Sequence, residues 1–373
     1  MKFVHIADVH LGMSFKSASF SKIFGNKKRD AIKKNLKNVI EYIKDNDIEL
    51  LLIAGDFLEG DYIELSDLLD IKYLFESIPK TSIVLMAGNH DPMSPKDNAY
   101  KLVQWPEHVT VIGIDYVCID LENIDTSIVS VSWDSKGPLT LKKPLLEDKI
   151  KESSLTNKIV MLHGDAYLQN DYFYMDPAYL NSLDVDYVAL GHIHKYDVLG
   201  DKVVYPGSLE PLDFSENYSH GFVVGQIREG QLTIKHEESM ALPMEVVPVD
   251  ITGCESYLEI VDKTKDEIFK NDRVESLSNL MIRVRLVGEK NPYIGDIDKA
   301  FKAELNDLIG AQIVYIEAKD KTIPGYDIDV LYSEHEHDII GHFIRSIRDK
   351  GLDDEVNKQA LSTGITLLLE AMR

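Results

Sequence analysis

The chain has 373 residues, 44% hydrophobic and 28% charged, a composition that excludes a disordered or fibrous protein and, at this length, favours one large domain with one or two smaller ones. A formal net charge of −23 argues against a surface built to displace counterions from a polyanion, and two distant cysteines, Cys118 and Cys254, exclude a disulfide framework or a thiolate zinc site and fit a reducing cytoplasm. The opening MKFVHIADVHLG lacks a basic n-region and cleavage site, and the longest apolar runs, such as Leu50 to Ala54, fall far short of the about 20 residues of a membrane helix, so a soluble protein without a membrane segment is expected.

In chain order, an apolar run at 3–7 is followed by a predicted helix over 30–46, with Ile32, Leu36, Val39, Ile40 and Ile43 on one face, a run at 50–54, a helix over 65–77 and a run at 82–87. This alternation predicts an α/β layered domain. Further β-rich runs at 109–119, 127–132, 158–162, 186–190, 202–205, 221–227 and 231–236 predict a second sheet facing the first. The pattern restarts near Met240: strand 244–251, helix 255–270, strand 279–287, helix 296–309 and strand 312–318 predict a small α+β unit. Last come Ile339, Ile340, Phe343, Ile344 and Ile347, then Val356, Leu361, Ile365 and Leu368, at helical spacing. These two amphipathic helices either pack on their own domain or dock a partner. Domains are therefore expected at 1–240, 241–325 and 326–373.

Five short signals carry the chemistry: Asp8-Val9-His10, Gly55-Asp56, Gly88-Asn89-His90-Asp91, His163-Gly164 and Gly191-His192-Ile193-His194. Each directly follows an apolar run (FVHIA, LLLIA, SIVLMA, KIVML, DYVAL), so all five are expected at strand ends, where open α/β sheets place their crevice. Carboxylates, an amide oxygen and imidazoles without thiolate suit a borderline-hard dication such as manganese, iron or zinc. An aspartate has two oxygens with which to bridge two ions, and two ions about 4 Å apart generate a hydroxide at neutral pH and stabilise both oxygens of an in-line displacement at phosphorus. Phosphoester hydrolysis is the reaction this set suits. Such a pair adds about four positive charges that the sequence count omits. Residues 16–37 add a basic island, Lys16, Lys22, Lys27, Lys28, Arg29, Lys33, Lys34 and Lys37 against the single acid Asp30, which either grips phosphates or is the solvated face of a helix.

Over residues 1 to about 225 the arrangement resembles the calcineurin-like metallophosphoesterase superfamily, whose pattern is DxH, GD, GNHD or GNHE, H and GHxH. The resemblance implies a two-sheet α/β/β/α sandwich. It implies one metal held by Asp8, His10 and His194, a second by Asn89, His163 and His192, and Asp56 as the bridge. It also implies that His90 faces the phosphate and helps protonate the leaving group. The longer stretches DVHLG, AGDFLEGD, AGNHDP, LGHIHK and YPGSLEP look like the SbcD-type DNA repair exonucleases and, within them, the YhaO-like bacterial branch. That likeness implies a manganese-dependent DNA exonuclease with a small capping domain, a C-terminal helical segment that docks an SMC-like coiled-coil ATPase, and a homodimer. The alternative from the same ligand set is a phosphodiesterase or phosphatase for a small nucleotide. One position departs from the pattern: some members have a histidine three residues beyond the bridging aspartate, where this chain has Glu59.

Other conspicuous residues have simpler readings. His5 sits inside the first strand as a packed histidine. The run Ser333-Glu334-His335-Glu336-His337 imitates a metal pair but reads as a helix start capped by Ser333. Asp91 either orients His90 or ends the turn, and Tyr167, Tyr172, Phe173 and Tyr174 either stack on unpaired bases or pack in the core.

Overall fold

Strands buried on both faces read as continuous apolar runs, and the first three strands of this chain do so. The computed structural model describes residues 1–15, 22–93, 98–135, 139–168, 173–295, 298–310, 312–351 and 354–372. The chain folds as two compact units, Met1–Leu242 and Pro243–Arg373.

In the first unit, β1 (Lys2–Ile6), β2 (Leu50–Ala54), β3 (Ser82–Met86) and β4 (Val109–Val111) lie parallel in one sheet. The second sheet runs β5 (Val117–Leu121), β6 (Thr126–Ser130), β7 (Asn157–His163) and β8 (Tyr187–Gly191), then β10 (Val203–Tyr205) and, at its edge, β9 (Asp197–Val198). The chain then returns to the first sheet, where β11 (Gly221–Arg228) pairs antiparallel with β1 and β12 (Gln231–Glu238) with β11. Phe3, Leu50, Leu52 and Val84 of the first sheet share one hydrophobic core with Ile128, Ile159, Met161 and Tyr187 of the second, so the sheets pack face to face. The alternate residues of the second sheet, Val160, Leu162, Val188 and Leu190, form another core with Leu146 and Ile150 of helix α3 (Lys143–Glu152) and Leu180 of α4 (Pro177–Ser182). The predicted layered sandwich is the observed one.

Two further helices follow β1 and β2: α1 (Lys22–Asp45) and α2 (Leu65–Glu76). Helix α1 begins at Lys22 instead of residue 30, and residues 16–21 of the basic island lie outside the described residues. Its buried stripe runs Phe24, Lys28, Ile32, Asn35, Leu36, Val39, so two polar side chains stand at core positions and break the apolar spacing. Lys28 does not belong to a surface island: it is 0% exposed, with Nζ donating to Glu210 Oε2 at 3.1 Å and to the Leu242 carbonyl at 3.3 Å. Replacing Lys28 with methionine leaves the buried Glu210 carboxylate without its counter-charge and is expected to cost about 3–5 kcal/mol, whereas Lys37→Met at an exposed position of the same helix should stay within about 0.5 kcal/mol. Urea unfolding of the two variants measures the difference.

In the second unit, β13 (Met244–Asp250), β14 (Leu280–Val287) and β16 (Ile313–Asp320) form a parallel sheet. Helices α5 (Tyr257–Phe269), α6 (Asp272–Ser276) and α7 (Asp298–Asn306) connect them, and a short ladder joins β15 (Glu289–Lys290) to β17 (Ile323–Pro324). Helix α8 (Ile328–Glu334) is capped by Asp327 and α9 (Ile339–Arg348) by Asp338. Ser333 therefore lies inside a helix and does not open one; Asp338 both caps α9 and accepts from His335 Nδ1 at 2.6 Å. Helix α10 (Glu355–Ala371) packs on α9 through Ile340, Ile344, Leu361 and Ile365, leaving Ile339, Val356 and Leu367 exposed. Among the described residues no helix is long and apolar enough to cross a membrane.

Candidate metal centre

The five signals all lie at the C-terminal ends of strands: Asp8 and His10 after β1, Asp56 after β2, Asn89 and His90 after β3, His163 closing β7, and His192 and His194 after β8. The loops after β1 and β2 are bonded to each other, the amides of Asp8 and His10 donating to the carbonyls of Gly55 and Asp56 at 3.1 and 3.0 Å. His163 joins the sheets by donating from Nδ1 to the Ala54 carbonyl at 2.8 Å. Four of the expected ligands, Asp8, His10, Asp56 and His192, have left-handed backbone, with φ of 52°, 53°, 47° and 100°. Such conformations cost about 1–3 kcal/mol each and persist where the surrounding structure requires them.

Glycines make the approach possible. A Cβ on Gly55 would overlap the His163 imidazole, one on Gly88 would overlap Asp56, and one on Gly191 would overlap the Ala54 carbonyl and the His163 ring, so these three glycines are required by the approach of a neighbouring motif.

The hydrogen bonds fix which atoms face inward. A carbonyl only accepts, so His163 carries its proton on Nδ1 and presents Nε2, which lies 3.1 Å from Asn89 Oδ1 and 3.2 Å from Asp56 Oδ2. Asn89 Oδ1 is also 3.2 Å from His192 Nδ1. On the other side, His10 Nδ1 donates to Glu59 Oε1 and His194 Nδ1 to Glu216 Oε1, both at 2.7 Å. That turns the two Nε2 atoms toward each other at 3.3 Å, beside Asp8. Donor atoms thus converge on two points, one ringed by Asp8, His10 and His194 and the other by Asp56, His163 and His192 with Asn89. Lone pairs brought this close repel unless a cation lies between them.

The electrostatics agree. Burial works against a charge on His163, yet neighbouring Asp56 raises its imidazole to about 9; Glu216 does the same for His194, also to about 9. Burial likewise opposes a charge on Asp56, but His163, His10 and His90 hold it well below the usual carboxylate range. A field that binds a proton so firmly attracts a metal ion for the same reason. The donor set fits a pair of divalent ions.

His90 stands at the mouth with its side chain 47% exposed. Its amide donates to Asp56 Oδ1 at 2.7 Å, and its Nδ1 lies 3.1 Å from Glu59 Oε1. The bond to Glu59 raises the imidazole above its ordinary range, and bonds from His10 and His90 hold the Glu59 carboxylate down to about 2 despite its burial. Glu59 and Glu216 have no signal in the sequence that ties them to the centre, except that Glu59 occupies the departure from the family pattern. Asp91 does not touch the His90 ring: it accepts from the amides of Gly88 and Leu58 at 2.6 and 3.0 Å and from the Tyr100 hydroxyl, and so shapes the turn. His5 is fully buried, its Nδ1 2.9 Å from the Tyr187 hydroxyl, and burial lowers it to about 3. Phe173 packs in the core with Trp133, Tyr167 bonds Asp197 through its hydroxyl, and Tyr172 lies outside the described residues. Beside the His10 loop, Lys22, Arg29, Lys33 and Tyr62 line a cleft of about 610 Å³ together with Asp30, Glu64 and Asp67.

Residues 1–196 match the family described as calcineurin-like phosphoesterase. The uncharacterized metallophosphoesterase YhaO of Bacillus subtilis is 23% identical over 288 residues, 72% of this chain and 68% of that protein. The DNA double-strand break repair protein Mre11 of Archaeoglobus fulgidus is 26% identical over 315 residues, covering 72% and 66% of the two chains. Mre11 of Aeropyrum pernix is 28% identical over 345 residues, covering 83% and 82%. The matched stretch thus spans about two thirds of the length of the first two relatives.

Proposed function

Because the chain belongs to the calcineurin-like phosphoesterase family, whose members are metal-dependent hydrolases with a dinuclear divalent site, we propose that it is a nuclease that hydrolyses DNA phosphodiesters with two manganese ions. In this reading Asp8, His10 and His194 hold one ion, Asn89, His163 and His192 the other, and Asp56 bridges them. The observation that carries it is the convergence of donor nitrogens and oxygens on two adjacent points, with the imidazoles of His10, His163 and His194 each locked in its tautomer by a partner outside the cluster. His90, exposed at the mouth with Nδ1 engaged by Glu59, serves as the proton donor to the leaving oxygen. DNA as the substrate is supported by the two archaeal relatives named as double-strand break repair proteins, and by Lys22, Arg29 and Lys33 in the cleft beside the His10 loop. The exposed Ile339, Val356 and Leu367 of the last two helices are the surface on which a coiled-coil ATPase of the SMC type would dock, supplying the basic DNA grip that a chain of net charge −23 lacks.

The same charge favours a second reading, a phosphodiesterase for a small nucleotide. Lys33 is paired with Asp67, and Lys28 is buried, so the cleft is less basic than the island in the sequence. Incubating the protein and manganese with linear duplex DNA, single-stranded DNA and a panel of cyclic and linear nucleotides separates the two. Shortening of the DNA is expected; intact DNA alongside cleaved nucleotides would reject the nuclease.

A further inference from the structure

The two candidate metal positions differ in what stands behind their imidazoles. At the first, both are backed by carboxylates: His10 by Glu59 and His194 by Glu216, each at 2.7 Å, and Asp8 adds its own negative charge. At the second, His163 is backed by the neutral Ala54 carbonyl, and Asn89 contributes a neutral amide oxygen 3.1 Å from the His163 Nε2. Asp8, whose two oxygens each accept from the His192 amide at 3.0 Å, and Asp165 lend negative charge toward His192. Asp56 and Asp8 act on both positions, so the difference lies in the backing: two carboxylate-backed imidazoles at the first against a carbonyl-backed one at the second. A carboxylate that accepts from the far nitrogen of a ligating imidazole makes the near nitrogen a stronger donor and fixes the ring's direction.

Building on the two-metal reading above, we propose that the sites fill in order: the Asp8–His10–His194 site takes its ion first and tightly, the Asn89–His163–His192 site second and weakly, with Glu59 and Glu216 as the positioning residues that set the order. Glu59 also holds His90, at 3.1 Å, so the group that readies the first site orients the candidate acid as well. The whole chain, stripped of metal, is titrated with manganese and followed by calorimetry and by the loss of the free-ion paramagnetic resonance signal. Two steps of unequal affinity are expected.

Glu59→Gln and Glu216→Gln should each weaken the tight step by about 10–100-fold and leave the weak step in place, since removing such a backing partner typically costs that much affinity. Asn89→Ala should abolish the weak step and preserve the tight one, and it keeps the idea open to refutation even if a glutamate variant fails to fold. One class of two equal sites in the unaltered chain, or glutamate variants that lose the weak step, would overturn the order while leaving the two-metal reading intact. No manganese binding at all would overturn both.

Discussion

Replacing Asp56 with asparagine is expected to reduce phosphodiester hydrolysis by roughly a thousandfold or more and to leave at most one manganese ion per chain. Stabilisation by the metal pair amounts to several kcal/mol, and each 1.36 kcal/mol is about tenfold in rate. The substitution is nearly isosteric. The amide oxygen of the new side chain would still accept from the His90 amide, now 2.7 Å from the aspartate, so the loop after β3 keeps its anchor. The other terminal atom changes from an oxygen with free lone pairs to an NH₂ whose lone pair is tied up in the amide, and it faces His163 Nε2 at the present 3.2 Å. A group that donates there cannot share a cation between the two clusters. Metal content by elemental analysis and the melting temperature complete the measurement: lost activity with two ions still bound would reject Asp56 as the bridge.

His90→Ala is expected to lower kcat by about 10²–10⁴-fold, the range for loss of a general acid, while both metal ions remain bound. The two histidine roles separate physically. The imidazoles of His10, His163 and His194 are buried or largely so and locked by a partner outside the cluster, whereas the His90 side chain is half-exposed at the mouth. Only its backbone amide is needed by the bridge, and alanine preserves that. The rings of His10 and His90 lie edge to face at 4.9 Å, and in the variant the His10 ring keeps its own bond to Glu59. Loss of metal in the variant would place His90 among the ligands instead. A substrate with a leaving group that needs no proton, such as a nitrophenyl ester, should lose much less rate than DNA does.

Much of this was legible along the chain. Each candidate ligand motif follows a largely apolar run that the fold buries, and such a run marks a central strand; the glycine and polar residues after it mark the strand's end. Strand ends, ligand types and the alternation of helix and strand are local properties, so they could be read from neighbours a few residues apart. The start of α1 was not legible for the same reason: Lys28 and Asn35 stand where apolar residues would be expected, and only Glu210 and the Leu209 carbonyl, far along the chain, explain why a charge and an amide can be buried there.

What the tertiary structure alone decided is which loop lies behind which imidazole. Glu59 is 49 positions from His10 and Glu216 is 22 from His194, and no periodicity links them. Their roles come from the packing of two sheets that brings five loops to one edge, where a carboxylate, a backbone carbonyl or an amide ends up as the partner of each ring. Residue identity therefore named the candidate ligands, because donor chemistry belongs to the side chain itself. Direction, tautomer and the inequality of the two sites arise only when distant segments meet, because a hydrogen bond needs both its partners in place.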